Sequence, residues 1–256
     1  MMKKVFFLDA YALIYRAYFA LNKNPRINSK GLNTSAIMGF LNTLYEVLKN
    51  EKPTHIGVAF DIGAPTLRTD DFSDYKANRE ETPPDIKISV PYIKEIIKAF
   101  NIPIFEREGY EADDMAGTIS AIGEREGFET IIVTGDRDSY QLAGPNTSVM
   151  YTKKGISETE MITPQWIFEQ FGLKPEQLID VKSMAGDTSD NIPGIPGIGE
   201  KTALALIAKF GTLDGVYENL NDPAVKPGVR TKLEAGRESA YMSPSTGSVR
   251  TITTKS

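Results

Sequence analysis

The chain has 256 residues, 41% of them hydrophobic, with 29 Lys and Arg against 34 Asp and Glu for a formal net charge of −5. That length buries a sizeable core, as one large α/β domain or as one domain with an appendage. With no cysteine and one histidine, disulfides, thiolate zinc sites, cysteine nucleophiles and most triad chemistry are excluded, which leaves acids, lysine and oxygen-bound metal.

No apolar run approaches the ~20 residues that span a bilayer, and the first nine residues lack the apolar stretch of a secretory signal. The expectation is a cytoplasmic protein with no membrane partner.

The first element is a strand, VFFL, ending at Asp9. An apolar-aromatic segment follows from Tyr11 to Leu21, then a polar loop carrying Pro25 and Gly31, then a helix from about Thr34 to Leu48 with Ile37, Phe40, Leu41, Leu44 and Leu48 on one face. A second buried strand, IGVAF, leads to Asp61, and the lone His55 at its mouth reads as structural. The connection from there to a helix near 89–100 is far longer than the ~2 to 6 residues usual between strand and helix. Beyond it come a strand at 102–105, a helix at 111–126, a strand at 130–134 and an edge strand at 148–151. This alternation predicts an α/β fold with a mostly parallel central sheet flanked by helices.

From Pro164 the pattern changes to short helices near 164–171, 175–184, 201–210 and 212–219, with a Gly/Pro-dense turn NIPGIPGIGEKT between the second and third. The expected division is an α/β core at 1–162 including the long connection at 63–84, a helical subdomain at 163–242, and a Ser/Thr-rich tail at 243–256 that is disordered or a linker.

Nine acids recur where apolar runs end or helices begin: Asp9, Asp61, Glu111, Asp113, Asp114, Asp136, Asp138, Asp187 and Asp190. The strand ends of a parallel sheet converge on one crevice. Carboxylates gathered there repel one another, and a hard divalent cation relieves most of that repulsion. Each motif alone reads more readily as the capping of a helix or turn: GYEADD at 109–114, TGDRD at 134–138, and the i, i+3 pair Asp187 and Asp190. The case rests on their number. Of the 34 acids, setting these nine aside leaves 25 against 29 bases, a mildly basic remainder that permits a polyanionic partner.

GIPGIGEKTA at 194–203 fails as a P-loop because Glu200 separates Gly199 from Lys201. Gly194, Gly197 and Gly199 instead make a tight turn into a helix whose first turn carries Lys201 and Thr202. Exposed N–H groups and the helix dipole there can hold a backbone phosphate. In the long connection, helical spacing from about Asp71 would pair Phe72 with Lys76 and Tyr75 with Arg79. Such a stripe could clamp a phosphodiester and stack a base, although interleaved acids also suit a solvated helix.

Taken together, FLDAYALIYRAY, FD at 60–61, YKANRE, GYEADD, VTGDRD and GDTSDNIPGIPGIGEKTA followed by KFG resemble the 5′-nuclease domains of the flap endonuclease family, over roughly Lys3 to Met242. The resemblance implies a PIN-like or resolvase-like core, a helical arch and a helix-hairpin-helix-like motif. It also implies hydrolysis of phosphodiesters near the 5′ end of flap, nicked or branched DNA, and of RNA primers on DNA. The family uses two Mg²⁺ ions, with Mn²⁺ able to substitute. By position, Asp9, Asp61, Glu111 and Asp113 would surround one ion and Asp136, Asp138, Asp187 and Asp190 the other, with Asp114 between or behind them.

Lys76 and Arg79 match the arch cations that polarise the scissile phosphate, and Tyr75 their aromatic neighbour. Arg16 would touch DNA near the cut, Arg68 is kept within the arch stretch, and Gly194 to Thr202 would grip duplex phosphates, with K⁺ as a further expected ion. Leu67 and Thr69-Asp70 depart from the family's arch pattern, and no departure removes a metal carboxylate. A polymerase domain continuing from such a nuclease is a further expected partner. The alternative is a noncatalytic branched-DNA-binding module of the same fold.

Overall fold

The computed structural model describes residues 3–63, 66–71, 73–78, 80–154, 158–250 and 252. The chain divides into a core unit, Met1–Ala64 with Glu81–Thr163 and Arg250–Ser256, and a helical unit, Pro65–Glu80 with Pro164–Val249.

The core unit is built on a six-stranded sheet. Its strands are β1 (Lys3–Asp9), β2 (His55–Ala59), β3 (Ile104–Phe105), β4 (Phe128–Thr134), β5 (Thr147–Lys154) and β6 (Glu158–Ile162), in the order β3-β2-β1-β4-β5-β6. Every pairing is parallel except β5 with β6. Phe6 and Leu8 of β1 are fully buried in a cluster with Ile14 of α1 (Ala10–Leu21), Phe40 and Leu44 of α2 (Ser35–Glu46), and Ile86, Ile93 and Ile97 of α4 (Pro84–Ala99). The period of two along β1 sends Phe7 to the opposite face, and α5 (Ala112–Arg125) packs along β4, β1 and β2. Both faces are therefore covered, which is why these strands read as unbroken apolar runs.

The chain lays β2 and β3 on one side of β1, then crosses to place β4 on the other. Strand order thus reverses between β1 and β4, and the crevice at their carboxyl ends is the usual ligand position of an open parallel sheet.

Three expectations change. The strand near 148–151 is not an edge, because β6 pairs antiparallel outside it; β6 is mostly exposed and so lacks the apolar run that marked the others. Among its described residues between Asp61 and α4, the long connection is helical at α3 (Leu67–Asp71) alone, after which 73–78 is a chain of turns, and Pro65–Glu80 groups with the helical unit. The segment at 243–256 includes the end of α11 (Arg237–Gly247), and the buried Ile252 donates its N–H to Thr118 Oγ1 at 2.8 Å. Backbone bonding, which composition does not report, holds its described part, 243–250 and Ile252.

The helical unit contains α6 (Pro164–Phe171), α7 (Leu178–Ala185), α8 (Glu200–Phe210), α9 (Leu213–Glu218), α10 (Pro227–Ala235), α3 and α11. Val181, Met184, Ile195, Ile198, Leu206, Ile207, Val216 and Leu233 form its own core. The loop between α7 and α8 is tightly closed, with Asp187 and Ile192 exchanging backbone bonds of 2.8 Å each. Gly186 (φ +74°) and Gly194 (φ +59°) flank that bridge so closely that a Cβ on Gly194 would lie 2.2 Å from Gly186 N.

Candidate metal centre

Parallel register places Asp9 beside Ala59 of β2 and, one residue past the Leu8–Val133 pair, beside Thr134 of β4. Asp61 and Asp136 each follow two residues later on the flanking strands' exits. Several of these acids also start helical turns. Asp9 is the N-cap of α1 and accepts the Ala12 N–H at 3.2 Å. Glu111 is the N-cap of α5. Asp136 caps the 3-10 turn Arg137–Leu142 and accepts the Asp138 N–H at 2.9 Å. Capping and clustering are thus one arrangement: a strand that exits into a helix puts its capping carboxylate at the carboxyl edge of the sheet.

The electrostatics show convergence. Burial, then the charge of Asp61 and also that of Asp136, push the Asp9 carboxyl up to about 7, against the Ala12 N–H and the Thr134 hydroxyl, which favour the ionised form. Asp61 itself accepts the Ala112 N–H at the start of α5, at 2.5 Å. Like charges crowded on oxygen donors, at the N-terminal ends of helices, suit a hard divalent cation.

In the helical unit, Asp187 Oδ2 lies 2.9 Å and Asp190 Oδ2 3.6 Å from Lys182 Nζ. Burial acts to raise the Asp187 carboxyl, but the Ser189 hydroxyl and the Lys182 ammonium outweigh it and hold the group at about 2. The two acids therefore face a single cationic focus. Lys182 escaped sequence reasoning because it sits on α7 while the pair sits in the loop beyond, so no helical spacing links them.

Thr134 was also missed. Its hydroxyl donates to Asp9 Oδ2 and accepts the Asp136 N–H, both at 3.0 Å. A threonine two residues before a strand-end Asp was the available signal.

Four expected site residues are placed otherwise. Both oxygens of Asp114 accept backbone N–H groups, of Glu111 at 3.0 Å and of Arg250 at 2.7 Å, so this buried acid caps α5 and ties down the returning chain. Arg68 is 1% exposed and donates to the Ser248 carbonyl at 3.0 Å, which removes it from any phosphate surface. Tyr75 is 6% exposed, a packed ring rather than a surface one. Arg16 turns its guanidinium inward onto the β4–β5 end, toward Gly135 and Tyr151 at 3.1 Å each, rather than outward.

Lys76 adopts φ +57°, donates its N–H to the Asp190 carbonyl at 2.9 Å and holds Nζ 4.9 Å from the Tyr75 ring centroid. Arg79 and Phe72 lie outside the described residues. Gly199 is the N-cap of α8, Gly197 and Lys201 are exposed beside it, Thr202 is half-buried, and the buried Gly194 serves the loop bridge. Gly197 also receives Lys232, whose Nζ donates to its carbonyl at 3.0 Å.

Among the described residues no helix is long and apolar enough to cross a membrane. Residues 4–172 match the family model described as 5′-3′ exonuclease, N-terminal resolvase-like domain, and residues 173–254 match 5′-3′ exonuclease, C-terminal SAM fold. The chain is similar to DNA polymerase I of Bacillus caldotenax, 44% identical over 251 residues, and to that of Bacillus subtilis (strain 168), 43% identical over 250. These alignments cover 98% and 97% of the chain but only 28% of either relative.

Among solved structures, T5 5′-exonuclease with bound divalent metal ions (zinc) aligns with TM-score 0.75 at 22% identity, covering 94% of this chain and 88% of that one. The catalytic core of Rad2 in complex with DNA substrate aligns with TM-score 0.57 at 23% identity, covering 91% and 72%. At such identities the likeness establishes the fold. The two family matches adjoin and span nearly the whole sequence: the chain belongs to the 5′-3′ exonuclease family, and is a nuclease of that family.

Proposed function

We propose that this chain is a structure-specific 5′ nuclease that hydrolyses phosphodiesters at or near the 5′ end of flap, nicked or branched DNA, RNA primers on DNA included. The observation that carries the reading is the crowding of Asp9 by Asp61 and Asp136 at the carboxyl edge of β1, β2 and β4. In the core unit the proposed oxygen donors are Asp9, Asp61, Glu111, Asp113, Asp136 and Asp138. In the helical unit they are Asp187 and Asp190. Mg²⁺ is the proposed ion, two per chain, with Mn²⁺ able to replace it. Bound divalent cations supply a nucleophilic water at neutral pH and stabilise the charge that develops on the phosphate and the leaving oxygen.

The chain's own groups prepare for that chemistry. The Ala12 N–H and the Thr134 hydroxyl orient one oxygen each of Asp9, and the Ala112 N–H orients Asp61. Lys76, with Arg79, is the proposed partner of the scissile phosphate. Gly197, Gly199, Lys201 and Thr202 at the start of α8 are the proposed duplex-phosphate contact, with K⁺ as a proposed ion of that turn. The relatives' length makes a covalently linked polymerase domain part of the proposal, as is a cytoplasmic setting.

Cleavage of a 5′-flap duplex in Mg²⁺, compared with Asp136→Ala, tests the reading. Product from wild type and none from the variant is expected. An uncut flap in both Mg²⁺ and Mn²⁺, with flap binding intact, would instead establish the noncatalytic DNA-binding alternative.

A further inference from the structure

Arg16 sits on α1, seven residues after Asp9, and its guanidinium reaches across to the neighbouring strands. Nη1 donates to the Lys153 carbonyl of β5, and Nη2 donates to the Gly135 carbonyl and the Tyr151 hydroxyl at 3.1 Å each. The guanidinium carbon lies 5.3 Å from the Tyr151 ring centroid. Parallel pairing of β4 with β5 ends at Thr134 and Tyr151. One residue later the chain departs toward Asp136, and it is there that the planar fork of Arg16 bridges the two strands.

Gly135 is shaped to this contact. A Cβ at that position would lie 2.7 Å from Arg16 Nε, 3.2 Å from Thr152 Oγ1 and 3.3 Å from the Ala12 carbonyl. Its backbone is not left-handed, so the glycine serves space rather than conformation. On either side of it stand Thr134, bonded to Asp9, and Asp136.

We propose that Arg16 is a positioning residue for the carboxylate centre: it pins the Thr134-Gly135-Asp136 turn against α1 and so sets where the Asp136 carboxylate stands relative to Asp9. The inference rests on the nuclease reading above. Arg16 acts through Gly135 and makes no required contact with nucleic acid. Lysine cannot replace it fully, because one ammonium cannot span two carbonyls and lie over a ring in the way a planar fork does.

The test compares wild type with Arg16→Met, Arg16→Lys and Gly135→Ala by calorimetric titration with Mn²⁺ alone, and separately by flap-DNA binding in EDTA. Supporting residues around a metal site commonly contribute 10- to 100-fold, so Arg16→Met is expected to weaken Mn²⁺ binding about 10-fold or more while metal-free DNA affinity is unchanged. Arg16→Lys should recover part of the loss. Gly135→Ala, which forces the guanidinium out with Arg16 still present, should give the same defect and add little when combined with Arg16→Met.

Unchanged Mn²⁺ affinity in Arg16→Met, or a loss confined to DNA binding, overturns the proposal, and so does full recovery with lysine. If Arg16→Met does not fold, Gly135→Ala and Arg16→Lys decide the matter by the same criteria. Wild type that binds Mn²⁺ in an Arg16-dependent way but cuts no flap would sink the nuclease reading and leave the positioning role standing.

Discussion

The Thr134 hydroxyl lies 3.0 Å from Asp9 Oδ2, and since it also accepts the Asp136 N–H at 3.0 Å, its one hydrogen is committed to Asp9. A fully buried side chain thus joins two carboxylate-bearing strand ends and favours the charged form of the more crowded acid. Thr134→Val keeps the shape and removes both bonds. The half-saturating Mg²⁺ concentration for flap cleavage is expected to rise about 10-fold, with Thr134→Ser close to wild type. Superimposable Mg²⁺ curves for the valine variant would show that the bridge is irrelevant to the metals.

Lys76 offers a clean side-chain test because its φ of +57° strains alanine as much as lysine. If its ammonium acts on the transition state, Lys76→Ala should lower the single-turnover rate by about 100-fold or more, the scale of losing one well-placed electrostatic donor, with little change in flap affinity. Parallel losses in both quantities would argue that Lys76 only binds substrate.

Lys201, exposed in the first turn of α8, is expected to act on affinity alone. Neutralising one phosphate contact changes the slope of log K against log salt by about 0.9. Lys201→Ala should weaken duplex binding and flatten that plot by about this amount. An unaltered slope means that this lysine does not meet phosphate.

Gly194 and Gly197 separate backbone closeness from backbone conformation. A Cβ on Gly194 would collide with Gly186 backbone atoms at 2.2 to 2.6 Å, whereas for one on Gly197 (φ +78°) the three nearest atoms belong to the flexible end of Lys232, at 3.0 to 3.2 Å. Gly197→Ala should cost about 1 to 2 kcal/mol, the left-handed penalty of a non-glycine residue. Gly194→Ala should cost about 4 kcal/mol or more, the diagnostic tail for point substitutions. Urea unfolding of the two variants measures the difference, and equal costs would contradict the close approach.

Thr130 is a stability liability. It is fully buried on β4, and among the described residues its hydroxyl has no hydrogen-bond partner. Leaving such a group unsatisfied costs about 1 to 3 kcal/mol, so Thr130→Val should raise the melting temperature. A lower one would indicate that the added methyl overpacks against Gly123, whose own Cβ would lie 2.4 Å from Thr130 Oγ1.

Much of the carboxylate cluster at the sheet's edge was legible along the chain because its determinants are local. An apolar run followed at once by Asp reads as a buried strand with an acid at its exit, and the βα alternation then implies that such exits share one edge. Asp9, Asp61 and Asp136 required nothing more. The edge strand β6 was illegible because an exposed strand carries no apolar run, and the turns at 73–78 replaced a helix that i, i+4 spacing had suggested.

What only the tertiary structure decided is the direction in which polar side chains turn. Arg16 meets Lys153 across 137 positions and Arg68 meets Ser248 across 180. A basic residue looks the same in sequence whether it faces solvent or a distant carbonyl. Residue type and period fix short-range geometry, whereas the partner of a long polar side chain depends on which remote backbone group the fold leaves within reach.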